Sequence, residues 1–254
     1  MLAAKFRAAG AEIVAHDRHS RHDERDAFYG HGFGDRVPWP LMLKRVDAII
    51  AATPPDITLA IATAAAQAGV PVWATKPLAL EQPIPITAPF FVDYVKLWSP
   101  SWIRFKRAQT LITDVEIEFY GDGPVRTFPG LLDYGAHALA YAHDLLGTEK
   151  LDIRTVAVTV KRRDGSHLVT TDAYDNGVPI TITTGNGASV SRRRVIVNGS
   201  AVYEDDPQED PLGIAVREFL QHVRDKRAEP HWVNLSVAVA ASLSKIQSAC
   251  AQDL

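Results

Sequence analysis

The chain carries a single cysteine, Cys250, and one thiol makes no internal disulfide. That fits a reducing compartment. Cys250 falls in a helical pattern, where packing rather than nucleophilic chemistry is expected. No apolar run approaches the length of a membrane-spanning helix. Residues 1–10 alternate apolar and basic groups, with no signal-peptide core or cleavage site. The expected location is therefore the cytoplasm, with no membrane partner. Charge of one sign is equally scarce. The net charge is −3 with no long run of either sign, which argues against a nucleic-acid partner. Two basic triplets, Lys161-Arg162-Arg163 and Arg192-Arg193-Arg194, sit at predicted strand ends and read as solvated faces. Internal repeats and low-complexity tracts are absent.

What is present describes a globular chain of one large or two ordinary domains: 254 residues, 46% hydrophobic and 22% charged. Residues 1–9 look helical and Gly10 stops them. Residues 11–15 read as a short buried strand, and 18–36 as a polar loop. The unbroken apolar run 46–52 suits a parallel sheet covered on both faces. Thr53-Pro54-Pro55 then opens a helix over 56–68, because proline is tolerated in a first turn. Its expected buried face is Ile57, Ala60, Ile61, Ala64 and Ala68. Gly69 ends it, and strands are expected at 70–74 and 90–97. Strand, helix and strand in alternation mean a parallel α/β domain.

After Trp98 the pattern changes. Strand-like runs crowd together at 113–120, 154–162, 167–174, 178–184, 192–197 and 201–204. Asp175-Asn176-Gly177 and Asn198-Gly199 are hairpin signals. Helices are expected at 131–146, 212–226 and 234–251. This predicts a second, α+β domain with a largely antiparallel sheet, over 99–254, after a first domain over 1–98.

Three segments together resemble the Gfo/Idh/MocA oxidoreductases. VDAIIAATPPDITLAIATAAAQAGVPVWATKPLAL, residues 46–80, is similar to that family's strand, TPP turn, helix, glycine and strand closing on a Lys-Pro pair. GLLDYGAHALAYAHDLLG, residues 130–147, resembles its helix carrying Asp-x-Gly-x-His, and DPLGIAVREFLQHVRD, residues 210–225, a late helix of its second domain. The resemblance implies a Rossmann-like first domain that binds NAD or NADP, and a second domain for substrate binding and oligomerisation. The implied reaction moves hydride between nicotinamide and a secondary alcohol of a sugar, polyol or sugar derivative.

The resemblance also implies roles. His137 would be the base that takes the hydroxyl proton, with Asp133 four residues earlier on the same helix face. A carboxylate beside an imidazole is expected to orient it and raise its pKa. Lys76 would stabilise the developing alkoxide, orient substrate and meet the cofactor at the carboxyl edge of the sheet, where open α/β sheets bind ligands. Thr53 and Pro54 would line the cofactor. Asp17, at the end of the strand 11–15, would bind the ribose hydroxyls and favour NAD, while Arg18 would suit a 2′-phosphate. Lys96, Trp98 and Tyr134 are candidate substrate contacts, with packing the default for Trp98. No metal is expected: His16, His19, His22 and Asp23 have poor zinc spacing and read as a solvated loop.

The chain departs from the family at its start. The first strand and the Gly-x-Gly-x-x-Gly turn are absent, since Met1 already sits inside the first helix. Gly30-His31-Gly32-Phe33-Gly34 lacks the strand-turn-helix context of a phosphate cradle. A central strand would be lost. Either the strands at 11–15 and 46–52 close up, or the natural protein has residues upstream. A shortened form would bind cofactor poorly, so a non-catalytic relative that binds a ligand or a partner subunit is the alternative. Thr75 stands where many relatives have Glu, Ala140 where many have an acid, and Leu97, beside Lys96, where they have arginine. An uncovered face of the second sheet predicts a homo-oligomer, a dimer or tetramer.

Overall fold

Three short, unbroken apolar runs make the first sheet. The computed structural model describes residues 2–13, 43–108, 110–122, 130–161, 167–186 and 188–252. β1 (Ile49–Ala51), β2 (Val72–Ala74) and β3 (Phe90–Val92) lie in that order, all parallel, with Ile49 opposite Val72 and Val72 opposite Phe90. β2 and β3 are wholly buried, as a parallel sheet covered on both faces requires. Helix α1 (Leu2–Ala8) precedes this sheet, and Ala11–Ile13, the described part of the expected strand 11–15, are not in a strand.

β1 leads through Thr53 into α2 (Pro55–Gln67), with Pro54 at its N-cap and Pro55 in its first turn. The buried face is Thr58, Ala62, Ala65 and Ala66, which corrects the expected face: Ala60 and Ala68 are exposed. Alanine occupies both sides of this helix, so hydrophobic spacing has little to discriminate with. The Thr58 hydroxyl donates to the Thr53 carbonyl at 2.7 Å and fixes which side turns inward. Gly69, at φ +69°, then reverses the chain in the left-handed region that glycine adopts without strain.

The expected strand 90–97 is shorter than its alternation suggested. β3 ends at Val92, residues Val95–Trp98 form a 3-10 turn, and Ser99-Pro100 starts helix α3 (Pro100–Arg107), which sequence patterning had not marked. Trp102 is the buried residue of α3, too little apolar repeat to reveal a helix.

The second sheet has six strands: β4 (Val115–Gly121), β5 (Asp152–Lys161), β6 (His167–Asp175), β7 (Val178–Asn186), β8 (Arg192–Val197) and β9 (Ser200–Glu204). Their order is β5-β6-β7-β4-β8-β9, antiparallel except between β4 and β7. Both hairpin signals hold, with positive φ at Asn176, Gly177, Asn198 and Gly199, as two-residue turns of this hand require. Between β8 and β9 the register shifts past Val195, leaving Val202 as an extra residue. Helix α4 (Gly130–Leu146) packs on one face of this sheet, and α6 (His231–Gln252), which buries Cys250, packs on α4. The other face carries Glu118, Thr183, Thr170 and Arg194 in adjacent register.

Helix α5 (Pro211–Asp225) returns to the first sheet and completes its core. Phe219 meets Phe6 of α1, Trp73 of β2 and Phe91 of β3 edge-on, at ring separations of 6.0, 5.6 and 5.3 Å. Trp98 stacks on both Phe91 and Trp232, which also touch each other. One apolar core therefore runs from the first sheet into the second, through aromatic rings contributed by both ends of the chain. Among the described residues, no helix is long and apolar enough to cross a membrane.

Phe219 is the ring common to these contacts. Phe219→Ala is expected to destabilise the fold by about 3–5 kcal/mol, because a buried aromatic leaves a cavity that its neighbours only partly fill. Urea denaturation followed by circular dichroism measures this, and a loss below about 1 kcal/mol would place the organising contact elsewhere.

Candidate active site

Lys76 lies two residues past β2, at the carboxyl edge of the parallel sheet. The preceding Thr75 ties this exit to β1: its N–H donates to the Ala51 carbonyl at 3.0 Å and its hydroxyl donates to the same oxygen at 3.2 Å. The Lys76 side chain is only 13% exposed, against 54% for Asp133. Its ammonium donates to the Asp133 backbone carbonyl at 3.0 Å and forms an ion pair with the Asp133 carboxylate. Asp133 stands in the first turn of α4, where a negative charge also suits the helix dipole. One strand exit and one helix start thus converge on a single lysine.

His137 is one turn further along α4 and half-buried. Burial, then the charges of Lys76, Lys96 and Arg193, push its pKa well below the ordinary 6.5. This reverses the expectation that Asp133 would raise it. The Asp133 carboxylate is engaged by Lys76, and three cations dominate the field at the ring. The imidazole is consequently neutral near pH 7, the form that can accept a proton.

A second cluster, drawn from the 3-10 turn, β8 and β9, completes the surroundings. Lys96 pairs with Asp205. Arg193 donates to the other Asp205 oxygen at 3.1 Å, and the Tyr203 hydroxyl donates to Asp205 at 3.1 Å. Burial pushes the Asp205 carboxyl up, but Lys96, Arg193 and Tyr203 together hold it below its ordinary value. The Tyr141 hydroxyl, from α4, donates to the Lys96 carbonyl at 2.7 Å. The Arg193 guanidinium lies 5.5 Å from the Tyr134 ring centroid. Tyr134 occupies the space above Gly121, where a Cβ would fall 2.5 Å from its hydroxyl oxygen. A groove of about 440 Å3 opens beside Arg193 and Asp205.

The structure thus brings Lys76, Asp133, Tyr134, His137 and Lys96 together. Thr53 and Pro54 are exposed at the same sheet edge, after β1. Trp98 packs against Phe91 and Trp232. Asp17, Arg18, the histidines of 16–22 and the glycines of 30–34 lie outside the described residues.

Four site residues escaped the sequence reading: Asp93, Arg193, Tyr203 and Asp205. Arg193 was visible in principle. Strand alternation sends Arg192 and Arg194 to one face, where both pair with Glu118, and Arg193 to the other. Asp93 was visible too, as a carboxylate inside an apolar strand run. It is half-buried, one of its oxygens is buried with no hydrogen-bond partner, and burial, opposed by Lys76, raises its pKa to about 7.

No family description matches this chain, and no curated protein matches it. Solved structures do share the fold. The 3-ketoreductase KijD10 from Actinomadura kijaniata, solved with NADP and TDP-benzene, superposes with a TM-score of 0.75 over 98% of this chain and 92% of its own, at 17% identity. UDP-N-acetylglucosamine 3-dehydrogenase GnnA from Acidithiobacillus ferrooxidans gives 0.68 over 84% and 81%, at 18% identity. The dehydrogenase MviM from Clostridium difficile gives 0.66 over 89% and 86%, at 13% identity.

The depressed His137 pKa has a sign that can be checked. An unfolded histidine takes up a proton as pH falls through about 6.5, and the native ring refuses it until well below. His137 therefore costs the fold nothing above 6.5 and reduces its stability progressively below. Imidazole NMR should find His137 neutral at pH 6, and His137→Gln should remove part of the acid-side loss of stability. A midpoint at or above 6.5 would mean that the cations do not act on this ring.

Proposed function

We propose that the chain is an oxidoreductase of the Gfo/Idh/MocA type, moving hydride between NAD or NADP and a secondary alcohol, or the corresponding ketone, of a sugar or sugar derivative. The observation that carries this reading is the meeting of Lys76, at the carboxyl end of a parallel strand, with Asp133 and a neutral His137 on α4. The shared fold supports it, since KijD10 is a ketoreductase solved with NADP and GnnA a sugar-nucleotide dehydrogenase.

In this reading residues 1–98 serve the cofactor and 99–254 the substrate. The residues present fit a nicotinamide dinucleotide: α2 begins at the carboxyl edge of β1, with Thr53 and Pro54 exposed there. Asp17 favours NAD, and Arg18 would meet a 2′-phosphate. When bound, the nicotinamide accepts or returns the hydride. His137 takes the hydroxyl proton during oxidation and returns it during reduction, which its neutral state permits. Lys76 donates to the substrate oxygen as negative charge grows on it, and Asp133 fixes where that ammonium sits. Tyr134 and Lys96 border the substrate, and Trp98 supports the wall from behind. Dimers or tetramers would form through the outer face of the second sheet.

Calorimetric titration of the full chain with NADH and NADPH, followed by a screen of sugars and sugar nucleotides, tests the reading. Binding of at least one nucleotide is expected. In the active pairing, His137→Ala should lower kcat by about 10²–10⁴-fold with cofactor affinity little changed. Activity within twofold of the parent would remove His137 as the base. Failure to bind either nucleotide would favour the non-catalytic alternative.

A further inference from the structure

Asp93 stands immediately after β3, one step beyond the last register pair, Ala74 with Val92. Its backbone N–H donates to the Ala74 carbonyl at 2.9 Å, so it sits beside the strand exit that carries Lys76. One carboxyl oxygen is buried with no partner, and such a group in a folded interior calls for an explanation. An ammonium has three N–H donors. Lys76 gives two of them to Asp133, one to the backbone carbonyl and one to the carboxylate.

We propose that Asp93 is a positioning residue for Lys76: two carboxyl groups, the exposed Asp133 and the deeper Asp93, share one ammonium, and the charge on Asp93 decides how far inward Lys76 reaches. With Asp93 protonated, Lys76 is committed to Asp133, toward the mouth of the site. With Asp93 ionised, the third N–H turns to its unpartnered oxygen and the ammonium moves toward the sheet. The charged and titratable groups on the elements around the end of β3 include Lys96 on the 3-10 turn, Asp133, His137, His143 and Asp144 on α4, Arg217, Glu218, His222, Arg224 and Asp225 on α5 and His231 and Lys245 on α6; the charge that acts on Asp93 is Lys76. The consequence for catalysis rests on the proposed function, but the sharing of Lys76 does not.

NMR of the full chain tests this without cofactor or substrate, so it can fail independently of the oxidoreductase reading. The Asp93 carboxyl carbon and the Lys76 side-chain nitrogen are followed against pH, with Lys76→Arg identifying the lysine signal. Asp93 is expected to titrate near 7, with an inflection of the Lys76 signal at the same pH. Asp93→Asn should abolish that inflection, whereas a merely structural Asp93 would leave it unmoved. Asp133→Asn, which releases Lys76 to Asp93, should raise the acidity of Asp93 tenfold or more. This second variant reads the coupling even if Asp93→Asn does not fold. A Lys76 signal that ignores the Asp93 titration, or an Asp93 midpoint unchanged in Asp133→Asn, overturns the proposal.

Discussion

The pairing of Lys76 with Asp133 couples two parts of the chain that fold by different rules. β2 is placed by parallel pairing on both sides and by burial of Trp73. α4 is placed by burial on all sides over Ala138–Ala142, between the second sheet and α6. The lysine reaches from one to the other and bonds to both the backbone and the side chain of a first-turn residue. Because a lysine is flexible and costly to immobilise, its fixed position depends on the rigidity of both supports. Those supports in turn share the aromatic core in which Phe6, near one end of the chain, touches Phe219, near the other. The geometry of the site is therefore a property of the whole chain.

Charge is arranged around His137 with similar economy. The charges of Lys76, Lys96 and Arg193 act on it, and each of these cations is paired with a carboxylate, Asp133 or Asp205. An ionised imidazole there would face three like charges in a partly dry site, so the neutral ring is the stable form. In the proposed reaction a substrate oxygen developing negative charge would meet the opposite situation, with these cations close by. The same field disfavours one charge and favours the other, and no reorganisation is needed between them.

Much of this was legible in the residues. The Lys-Pro exit after a Pro-started helix placed Lys76, and the spacing of four placed Asp133 and His137 on one helix. What was hidden has physical causes. Alanine on every side of α2 erased the periodic signal, and a threonine hydrogen bond chose its buried face. The stretch after β3, residues 93–97, read as continued alternation because Ser99-Pro100 acts on the chain only after it has already turned. The carboxylate that holds the Lys96 ammonium, Asp205, lies just past β9, more than a hundred residues away in sequence, and no local pattern announces so distant a contact. The expectation for the His137 pKa failed for a related reason. It counted the carboxylate on the same helix and had no means of counting cations arriving from β2, the 3-10 turn and β8.

The register shift between β8 and β9 sets how the site tolerates insertions and deletions. Side chains alternate across a strand, so a slip of one residue exchanges its two faces. Val202 absorbs one residue, which leaves Tyr203 opposite Val195 on the inner face. Removing that residue would make the ladder regular and keep both Val195–Tyr203 and Arg194–Glu204 as pairs, so Arg193, Tyr203 and Asp205 would stay on one face. A residue added between Tyr203 and Asp205, with no second bulge to take it up, would instead send the Asp205 carboxylate to the opposite face, away from Arg193 and Lys96. The hairpin is therefore tolerant of a change in length at Val202 and intolerant of one beyond Tyr203, although both leave two strands of nearly unchanged composition.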